Sequence, residues 1–321
     1  MTLSAPAAER APHGAAPERA ARRTPRREAG RRRAGWAMAA PALTLLGLFL
    51  AVPFVLAVVY SFTNRSLDSP LPTTWVGLRN YSRLFTDPEF LRGLLNNTVF
   101  AAVVVPVQTA LALGLALLLN RPLRGMAFFR SVVFLPVVFP MALVAVVWML
   151  IYAPGPTGVL NAALHTLSFG QWQPHDWLND PAWAMPAVML TSLWQGVGFQ
   201  MVIVLAGLQQ IPSELYEAAS LDRAGTWQKF RHVTLPGLRN TLVFVGLVTT
   251  VLAFRLFDQI YIMTSGGPDD ATTTVIYQTV TAAFERQQIA KASAMTVVFF
   301  LIVLGLALVQ RRALRQGSDP R

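Results

Sequence analysis

The sequence has no cysteine among its 321 residues, which excludes disulfide frameworks, thiolate metal sites and cysteine nucleophiles. Charge is also scarce. Asp, Glu, Lys and Arg make up 13% of the chain, about half of the roughly 25% of a soluble domain. Lysine occurs twice, as Lys229 and Lys291. The four histidines, His13, His165, His175 and His232, are scattered, so no metal-ligand spacing arises and no metal site is expected. No GxxxxGK[ST] string is present, so no nucleotide is held through a P-loop. HExxH and GxSxG are missing too, and no short-period repeat is visible. No catalytic residue and no cofactor are expected in this chain.

Apolar residues, by contrast, are abundant: 54% of the chain, with mean hydropathy +0.45. They come in long blocks, which points to lipid as the solvent. The net charge of +11 would fit nucleic acid, but nine arginines fall in the first 33 residues, so no nucleic-acid partner is expected. Residues 1–35 are rich in Ala, Arg and Pro and have too little apolar surface to fold alone. They are expected to form a disordered cytoplasmic tail that fixes topology, or a polybasic segment that meets anionic lipid. A cleaved signal peptide is not expected, because its apolar region spans ~7–15 residues and the run here is longer.

A helix needs ~20 apolar residues to cross a bilayer. Six segments qualify: Trp36–Phe62, Leu94–Leu119, Phe128–Tyr152, Ala182–Leu208, Thr241–Met263 and Ala292–Val309. Lipid cannot satisfy bare backbone groups, so each is expected to be helical. Pro53, Pro106, Pro136, Pro140 and Pro186 lie inside them, where kinks are ordinary in membrane bundles. Twenty Lys and Arg fall in the N-terminal tail, the 2–3 and 4–5 loops and the C-terminal tail, against six on the other side. Positive-inside counting then makes both termini cytoplasmic. The expected fold is an all-α polytopic membrane protein with six transmembrane helices over residues 36–312 and a short tail at 313–321.

The same counting puts the 4–5 loop, residues 209–240, in the cytoplasm. Ser213 reads as an N-cap, with Glu214 and Glu217 in the first turn near the positive helix end. Leu215, Ala218, Ala219 and Asp222 share one side. Gly225 reads as a terminator, and Thr226 as the cap of a second short helix carrying Trp227, Phe230 and Val233. Leu235-Pro236 is expected to break that helix before the fifth span. The loop is thus a helix–turn–helix presenting small residues and a carboxylate. It either caps the bundle or receives a partner surface.

The string EAASLDRAGTWQKFRHVTLP, with Glu217, Ala218, Ala219, Asp222, Ala224, Gly225, Phe230, Leu235 and Pro236, resembles the "EAA" loop of ABC importer permeases. The glycine usual six residues after the glutamate is Arg223 here. Val76–Tyr81, Asn120–Gly125, Phe134–Pro136, Trp194–Phe199 and Phe257–Pro268 also resemble that family, so the likeness covers nearly the whole chain after residue 36. The last string, FDQIYIMTSGGP, is similar to the carbohydrate branch, which includes maltose and glycerol-phosphate permeases. The resemblance implies a type I permease subunit of the bacterial inner membrane that imports a sugar or related solute. It implies partners as well: a second permease subunit, an ATPase dimer that holds ATP and magnesium and docks on the loop, and an extracytoplasmic solute-binding protein.

Polar groups in a bilayer are costly and usually face the bundle interior. Gln108, Gln195, Gln200, Thr249, Thr250, Arg255, Asp258 and Gln259 are the candidates. Gln195, Gln200, Arg255 and Asp258 are taken as a substrate path. Arg255 and Asp258, three apart, are expected to pair on one helix, either structurally or as cavity lining. Gly196 and Gly198 allow close approach of a helix or of solute. Between the third and fourth spans, Trp172, His175, Asp176, Trp177 and Asp180 form a cap or a contact for a binding protein. The competing class is an ion-coupled secondary transporter. It needs embedded carboxylates, and Asp258 is the only one well inside a span.

Overall fold

The structure is a computed structural model and describes residues 25–315. The chain divides into two units, Met1–Val55 and Leu56–Arg321. In the first, α1 (Pro25–Leu46) runs into a π-helical turn, Gly47–Ala51. Its large side chains, among them Trp36, Phe49 and Leu50, are exposed. Helix therefore begins within the segment read as a tail; residues 1–24 and, at the other end, 316–321 lie outside the described residues. The run continues through α2 (Val52–Ser61).

The second unit is a helical bundle in which, among the described residues, the only strand-like pairing is an isolated bridge between Thr63 and Trp75. A short α3 (Arg79–Leu84) precedes α4 (Pro88–Leu119), whose N-cap Asp87 accepts from the Glu89 amide. Next come α5 (Met126–Val138), α6 (Met141–Ile151), α7 (Val159–Leu167) and α8 (Ala184–Gln209). The hairpin that follows holds α9 (Ser213–Leu221), α10 (Thr226–Lys229) and α11 (Leu235–Gly237), and leads into α12 (Arg239–Phe254). Last are α13 (Val275–Val280) and α14 (Ile289–Arg315).

Among the described residues, four helices are long and apolar enough to cross a membrane, and two bent pairs raise the number of possible crossings to six. The third expected span is not one helix. It breaks between α5 and α6 with a bend of 99°. Pro140 lacks an amide and forces the preceding residue out of helical geometry, and Phe139 is extended at φ −80°, ψ 138°. The fifth expected span also stops early. Its helix ends at Phe254, and helix resumes at Asp258 and runs into a π-helical turn, Ile260–Thr264.

That second break is held by side chains from elsewhere in the bundle. Asn97, fully buried on α4, donates to the Phe254 carbonyl and accepts from the Val275 amide. Thr274 Oγ1 donates to the Leu256 carbonyl at 3.0 Å. Backbone groups freed inside lipid must find such partners.

α8 lies centrally and packs on α4, α5 and α12. Glycines permit this. A Cβ on Gly198 would stand 2.2 Å from the Val133 carbonyl oxygen on α5, and one on Gly207 would stand 2.6 Å from Thr241 Oγ1. Two apolar cores form around α8, and a third joins Leu84, Phe90 and Val275 to Met295 of α14. Of the first two, one joins Phe100 and Val104 of α4 to Val188 of α8 and Phe254 of α12. The other joins Ala112 and Ala116 of α4 to Met201 and Val204 of α8, to Leu238 and to Val245 of α12.

Candidate functional site

Between those cores lies a cavity of about 330 Å³, bounded by the middle of α4 and α8, the α5–α6 break, α12 and the residues after it. All four residues assigned to the substrate path, Gln195, Gln200, Arg255 and Asp258, line it, together with Gln108, Thr249 and Gln259. Periodicity places Gln195 and Gln200 in neighbouring turns of α8, and the chain break after Phe254 brings 255–259 to the same wall. Gln200, 4% exposed, donates to Thr249 Oγ1 at 2.6 Å, while its Oε1 has no partner among the described residues. Gln259 donates to Ser192 Oγ at 2.8 Å. Ser192, which sequence reasoning missed, looks like any helix serine until that contact forms. Phe100 and Phe199 supply apolar wall. Gly196 leaves room for the Gln108 amide, whose Nε2 would stand 2.1 Å from a Cβ there.

Arg255 and Asp258 do not pair as expected. The helix stops at Phe254, so they are not one turn apart on a common helix. The three ion pairs among the described residues are His175–Asp180, Arg286–Glu89 and Lys291–Asp87. Arg255 instead occupies the C-cap of α12, where a cation meets the negative end of the helix dipole.

At one end of the bundle, beyond Leu208 and before Leu238, stands the hairpin. Its caps differ from those expected. Pro212 is the N-cap of α9 and Ser213 its first residue; Gly225, extended at φ −70°, ψ 169°, is the N-cap of α10 and Thr226 its first residue. The left-handed turn residue is Arg223 at φ 54°. The Ala224 amide then closes back on the Ala219 carbonyl at 2.9 Å. Gly225 is therefore not the terminator. Its amide donates instead to Gln228 Oε1 at 2.8 Å. Leu235-Pro236 does not break the second limb: the helix runs on from α10 through a π-helical stretch, Phe230–Thr234, into α11, which contains Pro236. The break comes at Leu238, with a 64° bend into α12.

The two limbs are tied by Tyr216 Oη to Thr234 Oγ1 at 3.0 Å and by Lys229 Nζ donating to Ser220 Oγ at 2.7 Å. Glu217, Ala218 and Asp222 are exposed, as are Leu235 and Pro236, while Ala219, Ala224 and Phe230 are half-buried. Phe230 packs on Trp227 with ring centroids 5.3 Å apart. Leu215, Leu221 and Trp227 are exposed alongside them. The hairpin thus exposes small, acidic and large apolar side chains together.

The α6–α8 connection folds around Asn161, whose Oδ1 accepts from Trp172 Nε1, Trp177 Nε1 and the His175 amide. The two indoles stack at 5.7 Å. This accounts for the tryptophans as a local core.

A helical bundle of membrane-spanning length, with an amide-lined cavity at mid-depth and a helical hairpin at one end, has the fold of a membrane subunit of an ABC importer. A chain of a bacterial ABC transporter involved in the import of the acidic polysaccharide alginate superposes with TM-score 0.79 at 20% identity, covering 91% of this chain and 99% of that one. Residues 108–315 match the family described as Binding-protein-dependent transport system inner membrane component, and the chain belongs to it.

Curated relatives agree along their length. The probable ABC transporter permease protein YurN of Bacillus subtilis is 38% identical over 87% of this chain and 95% of its own. The sulfoquinovosyl glycerol transport system permease protein SmoG of Agrobacterium fabrum is 35% identical over 87% and 89%. The trehalose/maltose transport system permease protein MalF of Thermococcus litoralis is 33% identical over 88% and 94%. The chain is accordingly a multi-pass inner-membrane permease subunit of a binding-protein-dependent importer, a transport component and not an enzyme.

Proposed function

We propose that the solute is a sugar or related polyhydroxylated molecule, and that it passes through the cavity lined by Gln108, Gln195, Gln200 and Gln259. The observation that carries this reading is the convergence of amides and hydroxyls on one mid-depth cavity, with the Gln200 carbonyl oxygen unpartnered. Amides can both donate to and accept from hydroxyls, and Phe100 and Phe199 offer apolar faces to a sugar ring. The relatives named for sulfoquinovosyl glycerol and for trehalose/maltose support the class.

Both termini and the α9–α10 hairpin face the cytoplasm in this reading. A second permease subunit completes the pore. The outward face at Glu217, Ala218 and Asp222 docks a separate ATPase dimer, which holds ATP and magnesium, and a solute-binding protein delivers the ligand at the opposite end. ATP then needs only to favour one of two packings of the bundle. Glu217→Lys and Ala218→Trp should each abolish uptake and weaken copurification of the ATPase, with the protein still inserted. Normal uptake with normal ATPase retention would refute the docking role. Uptake that survives vanadate but collapses with the ion gradient would point to ion coupling at Asp258 instead.

A further inference from the structure

At the end of the bundle opposite the hairpin lies a second cavity of about 560 Å³, walled by the loop after α2, by α3, by the N-cap of α4 and by the first turn of α14. Four cationic side chains line it, Arg65, Arg79, Arg83 and Lys291, against one carboxylate, Asp87. That carboxylate is already engaged. It lies 2.7 Å from Lys291 Nζ and caps α4 by accepting from the Glu89 amide. The carboxylates near it in sequence do not line the cavity: Asp68 accepts from Ser66, and Glu89 pairs with Arg286. Arg79 and Arg83 are exposed and take part in no ion pair among the described residues. Arg65 lies over the Tyr60 ring at 5.2 Å, which leaves its N–H edge for another acceptor. The N-termini of two long helices, of 32 and 27 residues, add partial positive charge to the same space.

Depth and the rim decide which anion fits. α4 has 32 residues, so it is ~48 Å long at ~1.5 Å per residue, against a hydrocarbon core of ~30 Å. At least one end therefore leaves the hydrocarbon, and Glu89 and Arg92 in the first two turns mark the N-terminal end as one that does. Beside the cavity, Trp75 and Leu78 are exposed at 67% and 68%, and the Trp75 ring stacks on Phe62 at 5.4 Å. An indole and a leucine at headgroup level, next to unpaired arginines, match lipid: acyl chain against the apolar rim, phosphate against the guanidinium groups. We propose that this cavity binds the phosphate of an anionic phospholipid from the leaflet at that end of the bundle. A free phosphate shares the recognition chemistry but gains nothing from the apolar rim.

The test uses the importer purified with its partner subunits, delipidated, and titrated with phosphatidylglycerol or phosphatidylethanolamine. Retained lipid is read by native mass spectrometry. Selective retention of phosphatidylglycerol is expected. Arg79→Gln with Arg83→Gln should weaken it about thirtyfold, as two surface cations would. Asp87→Asn keeps a capping side chain but removes the competing carboxylate, and should strengthen retention about fivefold, an outcome misfolding cannot mimic. Ten millimolar inorganic phosphate should not displace the lipid. Equal retention of the two lipids, or no response to either variant, overturns the proposal. So does displacement by inorganic phosphate, which would make the site a free-anion site. Unchanged lipid retention with weaker capture of the solute-binding protein would make it a protein contact instead.

Discussion

Replacing Gly198 with alanine adds one methyl group at a point where the structure has no room for it. The new carbon would sit 2.2 Å from the Val133 carbonyl oxygen and 2.9 Å from the Phe134 Cα. A carbon and a carbonyl oxygen come no nearer than ~3.3 Å even in favourable contacts, so α5 and α8 must separate by about 1 Å. Overpacking of this kind costs ~1–3 kcal/mol, partly offset by the ~0.5–1 kcal/mol that alanine gains over glycine in a helix. The net expected loss is about 1–2 kcal/mol. Gly114 on α4 is the control, since nothing lies within 4 Å of a Cβ there. Alanine at 114 should show only the propensity gain of ~0.5–1 kcal/mol. The assay is denaturant unfolding of the purified importer, followed by tryptophan fluorescence, for both variants beside the parent. Solute uptake should follow the same order, because a shift of α8 stretches the Gln200–Thr249 bond from its 2.6 Å. A Gly198→Ala protein as stable as the parent, or a Gly114→Ala protein that loses as much, would refute the close-approach argument.

Three further outcomes are expected. Arg223→Gly relieves a left-handed backbone at φ 54°; the net gain of about 1 kcal/mol should appear as about fivefold greater hydrogen-exchange protection of the Ala224 amide. Asn97→Leu leaves the Phe254 carbonyl and the Val275 amide buried without their partner, and should cost about 2 kcal/mol or more in the same unfolding assay. At Asp87, burial alone would raise the carboxyl pKa, but the hydrogen bond and charge of Lys291 and the amides of Glu89 and Phe90 outweigh it and hold the group below its ordinary value. Its contribution is therefore present above the unfolded pKa of ~3.9 and is lost as pH falls through the lower folded value. A melting midpoint whose acid-side fall is the same in Asp87→Asn as in the parent would contradict this.

The spans and the hairpin were legible because they rest on local signals. Lipid demands long apolar runs, and the Glu217-Ala218-Ala219 string carries its own likeness. The break at Phe139-Pro140 was written in a proline, yet a proline alone does not say whether a helix kinks or stops. The break after Phe254 left no local mark, since Phe254, Leu256 and Phe257 read as a continuing apolar helix. It exists because Asn97 and Thr274, distant in sequence, accept or supply the hydrogen bonds the chain gives up there. Arg255 and Asp258 line one cavity with Gln195 and Gln200, but their expected pairing assumed a helix that this break removes. At the hairpin the turn was foreseen while its left-handed residue was not. Glycine is the usual occupant of that conformation, and Arg223 takes it because the Arg223 and Ala224 amides both close back onto α9.

Gln108, Gln200 and Thr249 lie between the two apolar cores that are built on α4, α8 and α12. Apolar packing resists shear, because displaced side chains lose many contacts at once. An amide can trade one hydroxyl partner for another at little net change in free energy. The layer at mid-depth is thus the part of the bundle whose contacts can be re-formed without disturbing the apolar packing on either side. Because α4, α8 and α12 each run through both cores, a rearrangement at that level takes the form of exchanged hydrogen bonds along intact helices, and a solute rich in hydroxyls would be able to supply the replacement partners.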